Sequence, residues 1–328
     1  MMRPQRNGDR NPRRSEAGFS LIEVMSALVI LSIAMTAVFA TFISQQKSFT
    51  VQNRVAEMQQ NLRQAVEYMS RDIRLAGYGI PDNVTIPDGV VATGVTSIRS
   101  LYAKDNTAGP DQIYVLYMFD MDSNQPPTLL TSPLGALATT ISVASAGGFF
   151  DNELILVTDN TNTTADLFQI SGTPAGTTIS LNTGSYNVHP GFPAGGYLSS
   201  PAALVAKARF VRYYIDSTTD PAHPTLMVQR MGSPSPQPLA DDIEDMQVTY
   251  GLDTSTTTPP AGIVDTWTSS PATPSQIRQI RIQFLARIRL PEAGWSETRP
   301  TTLGNNNGPF TADGYRRRIY DIVIDVRN

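Results

Sequence analysis

Between Phe19 and Ser44 the chain carries one ionisable side chain, Glu23, and the next charge is Lys47. About 20 apolar residues cross a bilayer as a helix, so this run is long enough to span one. A carboxylate in such a segment costs up to about 2.5–3.5 kcal/mol even on a lenient insertion scale, and a segment that keeps one needs a partner charge for it. Ahead of the run, residues 1–18 hold Arg3, Arg6, Arg10, Arg13 and Arg14 against Asp9 and Glu16, a net charge of +3. Positive flanks stay cytoplasmic, so the bulk of the chain is expected on the other side. A secretory signal peptide would have a short apolar core and a small-residue cleavage site, for which Val38-Phe39-Ala40 could serve. The run, however, continues through Phe42 and Ile43 into a helical pattern. A plain membrane anchor that happens to carry Glu23 is the simplest other reading.

The helical pattern extends well past the apolar run. Val51, Val55, Met58, Leu62, Ala65, Met69, Ile73 and Ala76 recur at alternating steps of four and three, the spacing of one apolar helical face. Arg54, Glu57, Gln60, Arg63, Glu67, Arg71 and Arg74 fill the rest, and Gly77, Gly79 and Pro81 end the pattern. No proline lies between Pro12 and Pro81, so one helix from about Phe19 to Ala76 is expected, roughly 85–90 Å long at 1.5 Å per residue. Its stripe would pack on a sheet; a coiled-coil dimer is the alternative.

From about Pro81 the pattern turns to short β runs between turn clusters. Ile113, Val115, Tyr117 and Phe119 alternate along one strand. Residues 152–158, 166–171 and 177–181 are shorter runs, and 203–215 with 225–231 read as a hairpin pair. Ile280, Ile282, Phe284, Ala286 and Ile288 alternate with Arg281, Gln283, Arg287 and Arg289, and residues 315–326 give a last strand. These features predict an α+β fold, a long N-terminal helix packed on an antiparallel sheet. The expected organisation is a leader at 1–18, a membrane half of the helix at 19–44, an amphipathic half at 45–80 and a β-rich head at 81–328. Residues 130–185, Gly- and Thr-rich, look like a small β subdomain inserted in that head, and 251–274 like a loop.

Composition narrows the function. Charged residues are 16%, under the usual quarter, which suits an exported, loop-rich β protein. There is no cysteine, which excludes disulfides, thiolate metal sites and thiol catalysis. Removing residues 1–18 takes the net charge from −4 to −7, which argues against nucleic acid as the main partner. His189 and His223 each precede a proline without a motif partner, so nothing points to a Ser-His-Asp hydrolase. No Walker-type or dinucleotide glycine pattern occurs, and the chain is read as a non-enzyme without a cofactor. Asp120, Asp122 and Asn124 have the alternating oxygens of a calcium loop but lack its Gly and distal Glu, and a turn is the favoured reading. Arg316-Arg317-Arg318 reads as the alternating start of a strand rather than a partner-binding patch.

Gly18-Phe19-Ser20-Leu21-Ile22-Glu23-Val24-Met25 resembles the processing site of type IV prepilins and type II secretion pseudopilins. The resemblance implies cleavage by a prepilin peptidase after Gly18, N-methylation of Phe19, and a mature helix whose Glu23 neutralises the Phe19 amine of a neighbouring subunit. Breaking half of such a buried pair typically costs about 3–5 kcal/mol, enough to set the stagger between subunits. Major pilins usually have a Pro in the apolar run; here Ala40 stands near that place. Many pilins also clip a C-terminal loop with a disulfide, which this chain cannot form.

Four later segments are similar to the PilW-type minor pilins. They are residues 71–79, at the end of the long helix; 166–172, a mid-head strand; 239–253, a helix-then-strand segment; and the ending 315–328. Asn160 stands after Asp159 where some relatives carry Cys. The resemblance implies a minor pilin that helps prime a type IV pilus and sits in or near its tip complex. Its partners would be the prepilin peptidase, other minor pilins and the major pilin, the inner-membrane assembly platform and, before assembly, the lipid bilayer. It would be held in the bacterial inner membrane by its helix with the head in the periplasm, then reach the pilus at the cell surface. A J-type pseudopilin of type II secretion, or an adhesive module displayed through residues 130–185, are the alternatives.

Overall fold

The computed structural model describes residues 18–81, 84–86, 88–118, 126–187, 192–233, 235–256, 262–271, 273–298, 303–306 and 311–326. One α-helix runs Leu21–Leu75. Ser20 caps it: the Glu23 amide donates to the Ser20 carbonyl at 3.0 Å and to Ser20 Oγ at 3.3 Å. With Glu23 at the third helical position this is the sequence pattern of a capping box. Glu23 in the first turn and Arg74 in the last both complement the helix dipole. The helix stops where Gly77 and Gly79 take φ of 84° and 72°, a conformation that favours glycine. A Cβ at Gly79 would stand 2.9 Å from that of Met118, so the turn also needs a residue without one.

The chain divides into two compact units, Met1–Arg54 and Val55–Asn328, with the boundary inside the helix. In the first, the helix window is long and apolar enough to cross a membrane and none of it is buried. Its hydroxyls do not interrupt the apolar surface. Ser32, Thr36 and Thr41 bond back to the carbonyls of Leu28, Ser32 and Ala37 at 2.6, 2.8 and 2.9 Å, which satisfies them within the helix.

The second unit has two main sheets around the rest of the helix and a separate two-stranded one. In the larger, ten-stranded sheet the main path runs Gln237–Asp241, Thr225–Arg230, Leu204–Asp216, Leu154–Thr158, Ala165–Gln169, Val84–Thr85, Ser97–Ile98. Leu204–Asp216 is its spine and also pairs with Gln112–Met118. A single parallel contact, Thr85 with Asp166, joins two otherwise antiparallel halves. The second sheet is antiparallel, in the order Thr266–Thr268, Ile243–Leu252, Ile277–Arg287, Arg317–Asp325.

The helical stripe lies where its period places it. Met58, Leu62, Ala65, Met69, Ile73 and Ala76 are buried in one cluster with Ile113, Tyr117, Val211 and Tyr213 of the larger sheet. The same cluster takes in Met246, Val248, Ile280, Ile282, Phe284 and Ile324 of the second. Full burial of such a Leu, Ile or Met side chain is worth about 1.5–3 kcal/mol. Within residues 130–185, Thr140–Ser142 and Thr178–Ser180 form a two-stranded sheet over a separate apolar cluster that includes Leu134, Ile141, Phe149 and Tyr197. Leu154–Thr158 and Ala165–Gln169 belong to the larger sheet and are buried at every residue.

One expectation needs correcting. The segment 239–253, read as helix then strand, is two strands, Gln237–Asp241 and Ile243–Leu252. Asp242 turns between them with φ 61°; its carbonyl accepts the Arg287 amide at 3.0 Å and its carboxylate meets His223 Nδ1 at 2.7 Å. The apolar residues Met246, Val248, Tyr250 and Leu252 alternate with period two, the spacing of a strand.

Candidate functional site

The residues singled out for processing and assembly, Gly18, Phe19 and Glu23, cluster at the start of the long helix. A Cβ built on Gly18 meets nothing within 4 Å, so local packing does not demand a glycine there. Phe19 is 84% exposed, and Leu21, Ile22, Val24 and Met25 are also open. The Glu23 carboxylate likewise has no cationic partner among the described residues of its own chain. This is an exposed apolar surface with one charge on it.

The helix is keyed into the second unit by a residue that pattern reading passed over. Asp72 is buried among the stripe residues and accepts from Tyr117 Oη at 3.0 Å and Tyr213 Oη at 2.6 Å. Burial, then the Asp72 charge, pushes both phenols well above their ordinary range. The signal was present: Asp72 stands three residues after Met69 and four before Ala76, on the apolar face.

A second buried network ties down the end of the smaller sheet. Glu244 lies between Arg287 Nη1 at 2.9 Å and Arg317 Nε at 2.7 Å, and Arg317 also bonds Asp313. Arg317 is buried, whereas Arg316 lies over the Trp295 ring and pairs with Glu292. The arginine run therefore alternates as a strand start does.

His223 pairs with Asp242 at 2.7 Å, but among the described residues no serine hydroxyl bonds the ring. His189 lies outside the described residues, as do Asp120, Asp122 and Asn124. Among those described, no group of three or more His, Asp or Glu could hold a metal ion.

Comparison with known proteins finds two family matches. Residues 13–39 match the prokaryotic N-terminal methylation motif, a span that contains Gly18, Phe19 and Glu23. Residues 212–328 match the family described as Type IV Pilus-assembly protein W, and that span holds the whole of the smaller sheet. No curated protein matches the chain.

Proposed function

We propose that this chain is a type IV minor pilin of the PilW type, which helps prime assembly of a type IV pilus and sits in or near the tip complex. The observation that carries this is the methylation motif and the pilus-assembly match on one chain, with the motif on an exposed apolar helix start. On this reading a prepilin peptidase cuts between Gly18 and Phe19 and methylates the new amine. Glu23 of one subunit then neutralises the Phe19 amine of the next. The apolar residues from Phe19 to Ile43 occupy the bilayer first and the bundle of neighbouring helices afterwards. Desolvation strengthens the charge pair there, so it selects one axial stagger. The head folds in the periplasm and travels with the helix to the cell surface.

Deleting the gene and scoring piliation and protein secretion separately tests the role. Loss of pili with secretion intact is the expected result. Loss of secretion with normal pili would make the chain a type II secretion pseudopilin. Intact-mass analysis tests the processing step, with a mature chain beginning at N-methylated Phe19 expected. A start at Thr41 would mean signal-peptidase cleavage and would overturn it. Gly18→Val should leave the leader attached.

A further inference from the structure

The long strand Leu204–Asp216 changes neighbours part-way along one edge. It pairs with Leu154–Thr158 as far as Ala208 and with Thr225–Arg230 from Val211 onward. At the join neither strand is paired with Arg209 or Phe210 on that edge, and the Met231 amide reaches across to the Phe210 carbonyl at 2.8 Å. A cleft of about 180 Å³ opens there, several times the roughly 30 Å³ that a water takes up in the liquid. Its rims are braced. Gln169, buried, donates through Nε2 to the Asn152 and Gly232 carbonyls at 3.4 and 3.1 Å, and the Gly232 amide donates to Tyr186 Oη at 3.1 Å. Gly232 has φ 87° and a Cβ there would stand 3.2 Å from Leu154 Cγ, so the close approach of the two rims favours glycine.

The cleft gathers positive charge in a chain whose net charge is −4. Lys207, Arg209 and Arg230 line it against one carboxylate, Glu153. The Lys207 side chain is 6% exposed, and its Nζ meets Glu153 Oε1 at 2.9 Å and lies over the Phe150 ring. Glu153 Oε2 accepts the Phe150 amide at 2.9 Å, so this one carboxylate is shared between two donors. Further donors line the cleft without an acceptor. Among the described residues no carboxylate pairs with Arg230, and the side chains of Asn152 and Ser233 make no hydrogen bond. Donors thus reach the cleft from three separate segments, at Asn152, at Lys207 and from Arg230 to Ser233.

We propose that this cleft binds a phosphate group, either the free ion or the group carried on a small molecule. A phosphate presents tetrahedral oxygens and accepts from several directions at once, which suits donors that come from three segments; a carboxylate accepts in one plane. The planar fork of Arg230 matches phosphate geometry. The Lys207 ammonium adds a point charge whose attraction is strengthened by burial. The site is a property of the head alone and stands whether or not the chain assembles into a pilus.

The probe is inorganic phosphate, titrated calorimetrically into the full chain in detergent micelles at constant ionic strength. Saturable binding is expected, about tenfold weaker for Arg230→Gln, the loss that one charge-assisted hydrogen bond gives. Arg230 is exposed, so thermal unfolding of this variant should match wild type. Glu153→Gln should bind more tightly than wild type, because it removes the carboxylate that competes for Lys207; a purely structural ion pair would give no such gain. Arg289→Gln, exposed and outside the cleft, should bind as wild type does. Glucose 6-phosphate separates the sources: tighter binding than the free ion means that the group arrives on a carrier, otherwise the ligand is the ion itself, and both results support the site. Absence of saturable binding to wild type overturns the proposal. So does unchanged affinity in both Arg230→Gln and Glu153→Gln, or an equal loss in Arg289→Gln, which would reduce the effect to diffuse attraction.

Discussion

A carboxylate inside a packed interface is tolerable where donors meet it, and Asp72 meets the hydroxyls of Tyr117 and Tyr213. Asp72→Ala leaves two buried hydroxyls without their acceptor, each costing roughly 1–3 kcal/mol. Thermal unfolding should show a loss larger than that of Tyr117→Phe or Tyr213→Phe alone. A loss no greater than either would mean that the carboxylate is not what seats the helix. Asp111 offers a test by pH. Burial pushes its carboxyl up from 3.8 to about 7; the Asn106 and Val248 amides oppose this, and nearby Asp105 and Asp245 add to it. A raised carboxyl pKa favours the protonated folded form. Its contribution is therefore complete below about pH 3.8 and is lost as pH rises through about 7. The melting temperature of wild type relative to Asp111→Asn should fall between pH 4 and pH 8; parallel curves would refute the shift. At the other end of the helix, Glu23→Ala should insert in the membrane as well as wild type, since removing a charge lowers the insertion cost. It should nonetheless be depleted from sheared pili. Recovery at wild-type level would show that the charge pair does not act in this subunit.

Among the elements, the long helix has the most direct test. Leu62 and Met69 are 2% and 1% exposed in a cluster shared with both sheets, and an unpaired charge buried there is strongly unfavourable. Leu62→Asp with Met69→Asp should abolish cooperative unfolding or open the chain to protease, while changes at the exposed Gln60 and Arg71 should do little. Tolerance of both Asp residues would mean that the stripe does not pack on the sheets. The stripe was readable in sequence because a helix between two sheets still buries a face of period 3.6. The two long C-terminal strands were readable because each keeps one continuous apolar row, Ile280 to Ile288 in one and Ile322 with Ile324 in the other. Leu154–Thr158 and Ala165–Gln169 showed only as short runs, since strands covered on both faces do not alternate. Segment 239–253 misled because its helix was carried over from the family resemblance alone, whereas Asp242 serves a left-handed turn between two strands. Asp72 was missed, although its place on the apolar face was visible, because the tyrosines that donate to it lie 45 and 141 residues away.

For the whole molecule, the division at Arg54 and Val55 separates two kinds of surface. Before it, the described helix is exposed and apolar along its membrane-length run. After it, the stripe and both sheets share one core. The Gly18–Glu23 motif was legible because it is contiguous in sequence and lies within the span that matches the N-terminal methylation motif. Shared burial also means that the four-stranded sheet has no core cluster apart from the helix, since its Ile280, Ile282 and Phe284 close over the same helical residues as Val211 and Tyr213 of the larger sheet, which keeps a second cluster with Leu116, Leu156, Leu167 and Phe210 on its other face. A chain shortened to begin at Gln45 should therefore be soluble without detergent and unfold in a single transition. Far-ultraviolet dichroism and aromatic fluorescence should report coincident midpoints, as two-state unfolding requires. Shortening further, to begin at Leu75, removes Met58, Leu62, Ala65, Met69 and Ile73 together and should abolish the single shared transition, so that the two midpoints no longer coincide. If that shorter chain still melts with coincident midpoints, the sheets hold each other without the helix, and the shared core is not what unites the second unit.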